Sequence, residues 1–108
     1  MITIMTSCKA FKGEIGELQI RSIRNWKALH PEVEVFVFGQ AEMADTIAVQ
    51  EGFSYIPGIT ATDRGIPFFN AIAEYANRHA KHDMLLYLNA DILLPAKLFD
   101  VLHLLEGF

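Results

Sequence analysis

Four short apolar runs, each followed by a stretch of helical periodicity, constrain the fold of this chain more than any other feature. The runs are Ile2-Thr3-Ile4-Met5-Thr6, Val33-Glu34-Val35-Phe36-Val37-Phe38, Phe53-Ser54-Tyr55-Ile56 and Met84-Leu85-Leu86-Tyr87-Leu88. They are rich in β-branched and aromatic residues, and glycine or proline follows the second and third at once, as expected of buried strands. The spacing predicts a helix over about residues 14–30, with a buried stripe of Ile15, Leu18, Ser22, Trp26 and Leu29. Acidic residues in its first turn (Glu14, Glu17) and basic ones at its end (Lys27, His30) suit the helix dipole, and Pro31 closes it. A shorter helix over about 41–50 would bury Met43, Ile47 and Ala48. A third, from Pro67 to about Lys81, would bury Phe68, Ile72, Tyr75, Ala76 and His79. Pro95 opens a fourth, through Leu98, Val101, Leu102 and Leu105.

Strand and helix alternating four times predict an α/β fold, an open, mainly parallel four-stranded sheet with helices on both faces. The expected strand order is 3-2-1-4. That order reverses direction between the first and fourth strands, and open sheets bind ligands outside the carboxyl ends of the strands at such a reversal. The loops at that edge are residues 7–13, 39–40, 57–66 and 89–94, and they hold most of the unusual polar residues.

Other functions are disfavoured by composition. The 108 residues suit one domain, residues 1–108, and 52% hydrophobic against 20% charged residues describes a globular chain. A net charge of −4 with no basic block disfavours nucleic acid as a partner. No apolar stretch approaches the roughly 20 residues that cross a bilayer, so no membrane span is expected. One cysteine, Cys8, fits a reducing compartment, and with no signal-peptide pattern at the start the expected location is cytoplasmic. Neither Gly-x-Gly-x-x-Gly after the first strand nor Gly-Lys-Ser/Thr is present, which argues against dinucleotide and P-loop sites.

The sharpest local signal is Asn89-Ala90-Asp91 at the end of the fourth run. Strand alternation would point Asn89 and Asp91 the same way. An amide and a carboxylate oxygen together can hold Mg²⁺ or Mn²⁺, hard cations that complete their shells with water and substrate phosphates. The alternative for Asp91 is a helix cap or Asx-turn, although Pro95 at a first helical position would put the cap at Leu94. Asp63-Arg64-Gly65 precedes a helix start; Arg64 could hold a phosphate and Asp63 a base or ribose, or the two could pair in a solvated loop. Thr6, Ser7, Cys8 and Lys9 follow the first strand, where hydroxyl and backbone groups are candidates for base or ribose contact and a plain connecting loop is the alternative. Cys8 has no histidine placed beside it by the sequence, which argues against a nucleophile.

With these elements in place the chain resembles the N-terminal, donor-binding half of GT-A-fold glycosyltransferases, which use nucleotide-diphosphate sugars. The most specific stretch is Gly65-Ile66-Pro67-Phe68-Phe69-Asn70 followed by His82-Asp83-Met84-Leu85-Leu86-Tyr87-Leu88-Asn89-Ala90-Asp91. It is similar to the family's helix with an internal Asn and its strand ending in an Asp-x-Asp metal motif. The resemblance implies a Rossmann-like half-fold, Asp91 as a metal ligand and Asn89 near ribose or metal. It also implies that Thr6 and Ser7 contact the nucleotide and that Asp63, Arg64 and Gly65 form the loop beside it, with Mn²⁺ or Mg²⁺ as cofactor. Asn89 stands where the family has an aspartate, and the acceptor half has no counterpart in these residues. Activity of the chain alone is therefore in question. A non-catalytic interaction domain is the alternative of a different class, and a sugar nucleotidyltransferase, whose glycine-rich first loop is missing here, is a second. The apolar circumference of the last helix, with Phe99 and Leu104, predicts a homodimer.

Overall fold

A computed structural model describes residues 1–58, 69–95, 97 and 98. Its elements are β1 (Ile2–Ser7), α1 (Gly13–Ala28), β2 (Glu34–Phe38), α2 (Ala44–Glu51), β3 (Ser54–Ile56), α3 (Phe69–His79) and β4 (Met84–Tyr87). The four strands form one parallel sheet in the order β3-β2-β1-β4, as the alternation predicted. The loop with Asp63, Arg64 and Gly65, and the expected last helix beyond Leu98 with Phe99 and Leu104, lie outside the described residues.

Strand alternation divides the apolar residues between two cores. On one face Ile2, Ile4, Val35 and Val37 meet Ile23 and Trp26 of α1 and Ala44 and Ala48 of α2. On the other, Met5, Phe36 and Phe38 meet Ile72 and Ala76 of α3. Tyr75 of α3 adds edge-to-face contacts to Phe36 and Phe38, with ring centroids 5.7 and 5.5 Å apart. The two consecutive crossovers, β1 to β2 and β2 to β3, place α1 and α2 on one side. The return from β3 past β1 to β4 places α3 on the other.

The expected stripe on α1 is rotated. Its buried residues are Gly16, Gln19, Ser22, Ile23 and Trp26, whereas Ile15 and Leu18 are 49% and 46% exposed. Gly16 explains the rotation. A Cβ there would stand 2.6 Å from the Phe11 carbonyl carbon, so helix and loop pack backbone to backbone at this residue. Phe11 itself is buried and stacks on Phe53, with centroids 6.2 Å apart. In α2 the expected burial of Met43 is also corrected. Met43 is exposed and precedes the helix in a left-handed conformation (φ 71°), and Ala44 is buried in its place. His79, expected inside, is exposed and packs its ring 4.3 Å from that of Tyr75.

Candidate functional site

Polar side chains converge at the carboxyl edge, between β1 and β4. A cleft of about 330 Å³ opens there, lined by Ser7 and Lys9 from the end of β1 and its loop, Ile15, Leu18 and Gln19 from α1, and residues 89–91 after β4. This is the reversal point of the strand order, the place where open α/β sheets bind ligands.

The first wall is the segment after β1, held by a residue that periodicity alone did not mark as functional. Gln19 is buried in α1 and bonds both backbone groups of Lys9. Its Oε1 accepts from the Lys9 N–H at 2.6 Å, and its Nε2 donates to the Lys9 carbonyl at 2.9 Å. Together with the Gly16 contact and the Phe11 N–H donated to the Glu42 carbonyl at 3.0 Å, this fixes the path of residues 8–12. The side chain of Lys9 is left exposed at the cleft with no ion pair among the described residues. Lys12, by contrast, pairs with Glu42 at 2.6 Å. A polar residue at the spacing of a buried helical stripe was the available signal for Gln19. Only the loop packed above it explains the choice.

The second wall is the segment after β4, stapled to α1 by two neighbouring residues. Trp26 is fully buried, and its Nε1–H donates to the Ile92 carbonyl at 2.8 Å. Asn25 Nδ2 donates to the Leu94 carbonyl at 3.2 Å, while its Oδ1 accepts the Leu94 N–H at 2.7 Å. At the strand end the Leu88 N–H donates to the Met5 carbonyl at 3.0 Å. Between these anchors the Ile92 N–H donates to the Asn89 carbonyl at 3.2 Å, closing a turn over Ala90 and Asp91. The strand therefore ends at Tyr87, and strand alternation does not bring Asn89 and Asp91 to one side as expected. The turn does so, and both side chains are exposed at the same cleft.

The other expected site residues fall out as follows. Ser7 lines the cleft, and its Oγ lies 3.5 Å from the Tyr87 hydroxyl. Thr6 is fully buried and does not line the cleft; its hydroxyl has no hydrogen-bond partner among the described residues. Asp63, Arg64 and Gly65 lie outside the described residues. Desolvation pushes the Cys8 thiol up to about 12, which keeps it protonated at neutral pH, and the half-buried side chain packs against the α1 core.

Asp91 and Asn89 offer one carboxylate and one amide oxygen. Among the described residues no group of three or more His, Cys, Asp and Glu side chains gathers to hold a metal ion. A donor set this sparse does not suit a closed protein cage. Asn89 and Asp91 could hold a hard cation such as Mg²⁺ or Mn²⁺ only if waters and substrate oxygens completed its shell. Among the described residues no helix is long and apolar enough to cross a membrane. Comparison with protein-family models, with curated proteins and with solved structures finds no match to this chain. The Rossmann-like topology and the cleft at its reversal point are the facts on which a functional reading rests.

Proposed function

We propose that this domain binds a nucleotide-diphosphate sugar through a divalent metal, as the donor-binding part of a glycosyltransferase of GT-A type. The observation that carries the reading is the meeting of Lys9, Asn89 and Asp91 at one cleft on the carboxyl edge between β1 and β4. A carboxylate and a diphosphate repel one another unless positive charge sits between them. Asp91 and Asn89 would hold Mn²⁺ or Mg²⁺, which when bound neutralises the diphosphate and stabilises negative charge on a departing nucleotide. Lys9, from the segment after β1, would supply a second positive charge at the same cleft. The Ser7 hydroxyl, which lines the cleft, would hydrogen-bond ribose or phosphate oxygen. Fixing the backbone of both walls beforehand lowers the ordering cost of binding.

Calorimetric titration with uridine diphosphate, with and without Mn²⁺, tests the proposal. The wild type should bind only with the metal. Asp91→Ala should abolish that metal-dependent binding while changing unfolding free energy by less than about 0.5 kcal/mol, as for an exposed side chain without partners. Asn89→Ala should weaken binding less, because a neutral amide oxygen contributes less to a hard cation, and Asn89→Asp should strengthen it. Binding that ignores both metal and Asp91→Ala would overturn the reading. A stability loss of about 1 kcal/mol on Asp91→Ala, with no change in ligand binding, would return Asp91 to a turn or capping role.

A further inference from the structure

The wall of the cleft formed by α1 is chemically unlike the rest. Ile15 and Leu18 are three residues apart, hence neighbours on one helix face, and both line the cleft while remaining about half exposed. They are surplus to the core, whose apolar α1 contacts come from Ile20, Ile23 and Trp26. Lys9, Asn89 and Asp91 line the same cleft. One cleft thus has a charged lip and an aliphatic wall, and it matches a ligand with a phosphate at one end and an apolar face at the other.

We infer that Ile15 and Leu18 form a subsite for the face of a nucleobase, with the phosphates of the same molecule at Lys9, Asn89 and Asp91. The inference rests on the nucleotide-binding reading and assigns its two ends. Hydrocarbon offers a diphosphate or a hydroxylated sugar nothing in exchange for lost water, whereas the flat face of a base is weakly hydrated and gains from apolar contact. Size agrees. An open cleft of about 330 Å³ lies within the range of small-molecule sites. Gln19 holds the Lys9 backbone from the same helix, so the spacing between wall and lip is set by one rigid element.

The test compares uridine diphosphate with inorganic pyrophosphate, both with Mn²⁺, on the intact chain and on the double variant Ile15→Gln/Leu18→Gln. Both positions are half exposed and glutamine is a good helix former, so the variant should melt with the wild type. The wild type should prefer uridine diphosphate to pyrophosphate by about 10-fold or more, the yield of burying roughly 50 Å² of apolar surface. The double variant should lose that preference while its pyrophosphate affinity stays within about twofold. Ile15→Leu/Leu18→Met should retain it, which separates apolar contact from general damage to α1. The inference is overturned if the preference survives in the glutamine variant, if the wild type shows none, or if both ligands weaken together. Failure of the wild type to bind either ligand would remove the nucleotide reading and this subsite with it. Equal binding of both would remove the subsite alone.

Discussion

The two ends of the sheet use polar residues in opposite ways. At the amino-terminal edge polar side chains that line the surface are themselves bonded, mostly to backbone. Glu34 Oε1 accepts from the Thr3 hydroxyl at 2.9 Å and from the Lys81 N–H at 2.8 Å. His82 Nε2 meets the Glu32 carbonyl at 2.7 Å, and Lys27 Nζ donates to the Gly52 carbonyl at 2.8 Å. At the carboxyl edge the tying is done by residues set back from the cleft, Gln19, Asn25 and Trp26, and it grips backbone. The side chains of Lys9, Asn89 and Asp91 are left without polar partners among the described residues. Both edges carry a cleft, of about 400 Å³ at the amino-terminal edge and about 330 Å³ at the carboxyl edge; the difference is that Lys27, Glu34 and His82 in the first are already bonded, whereas Lys9, Asn89 and Asp91 in the second are not, among the described residues. A shared inventory of residue types therefore says little about function until it is known which groups are already satisfied.

The largest expected effect is on the residue that serves both the core and the carboxyl edge. Trp26→Ala should cost about 3–5 kcal/mol, measured by chemical denaturation, because it removes a fully buried ring. It should also release Ile92 and weaken metal-dependent nucleotide binding. Trp26→Phe keeps most of the apolar volume and loses only the bond to the Ile92 carbonyl. Its stability loss should be nearer 1 kcal/mol, and the ligand effect should persist. Full binding by a well-folded Trp26→Phe would break the claim that the staple prepares the cleft.

Next in size is a pH effect confined to the carboxyl edge. The Cys8 thiol titrates at 9.0 when unfolded and is pushed up to about 12 in the fold by desolvation. Between those values the unfolded chain has released a proton that the folded chain retains. Stability contributed by the neutral buried thiol is thus full below pH 9 and is lost as pH rises through the folded value, on the order of 3 kcal/mol by pH 12. Stability curves of wild type and Cys8→Ala from pH 8 to 11 should converge as the wild type loses this term. Parallel curves would show that Cys8 titrates normally.

Smaller still, Glu34→Ala at the amino-terminal edge should cost about 1–3 kcal/mol by orphaning the Thr3 hydroxyl and the Lys81 N–H. Nucleotide binding should be untouched. Paired with Asp91→Ala, whose effect should fall on binding and not on stability, it turns the contrast between edges into a double dissociation. A ligand effect from Glu34→Ala would collapse the distinction.

The architecture was legible because its determinants are local and repetitive. Period-2 runs such as Ile2–Thr6, closed by residues like Gly39 and Pro57, specify strands wherever they pack, and alternation with helices leaves few topologies. The carboxyl-edge location of the cleft followed from that topology, and with it Asn89 and Asp91 as residues worth attention. The rotation of α1 was not legible. Ile15-Leu18-Ser22-Trp26 and Gly16-Gln19-Ile23-Trp26 are both acceptable helical stripes, and hydrophobicity favours the first. The second is buried because Gly16 alone permits the backbone of Phe11 to approach and because Gln19 can satisfy the peptide groups of Lys9. Both reasons depend on a loop that the helical pattern does not contain.

The way Asn89 and Asp91 come together differs for a related reason. The sequence by itself determined that an apolar strand ends in an amide and a carboxylate, since that needs only residue identity and period. Only the tertiary structure decided that the strand stops at Tyr87 and that a turn presents both side chains to one cleft. The turn is held from α1 by Asn25 and Trp26, some 66 to 69 positions away in the chain, and contacts of that range carry no local signature.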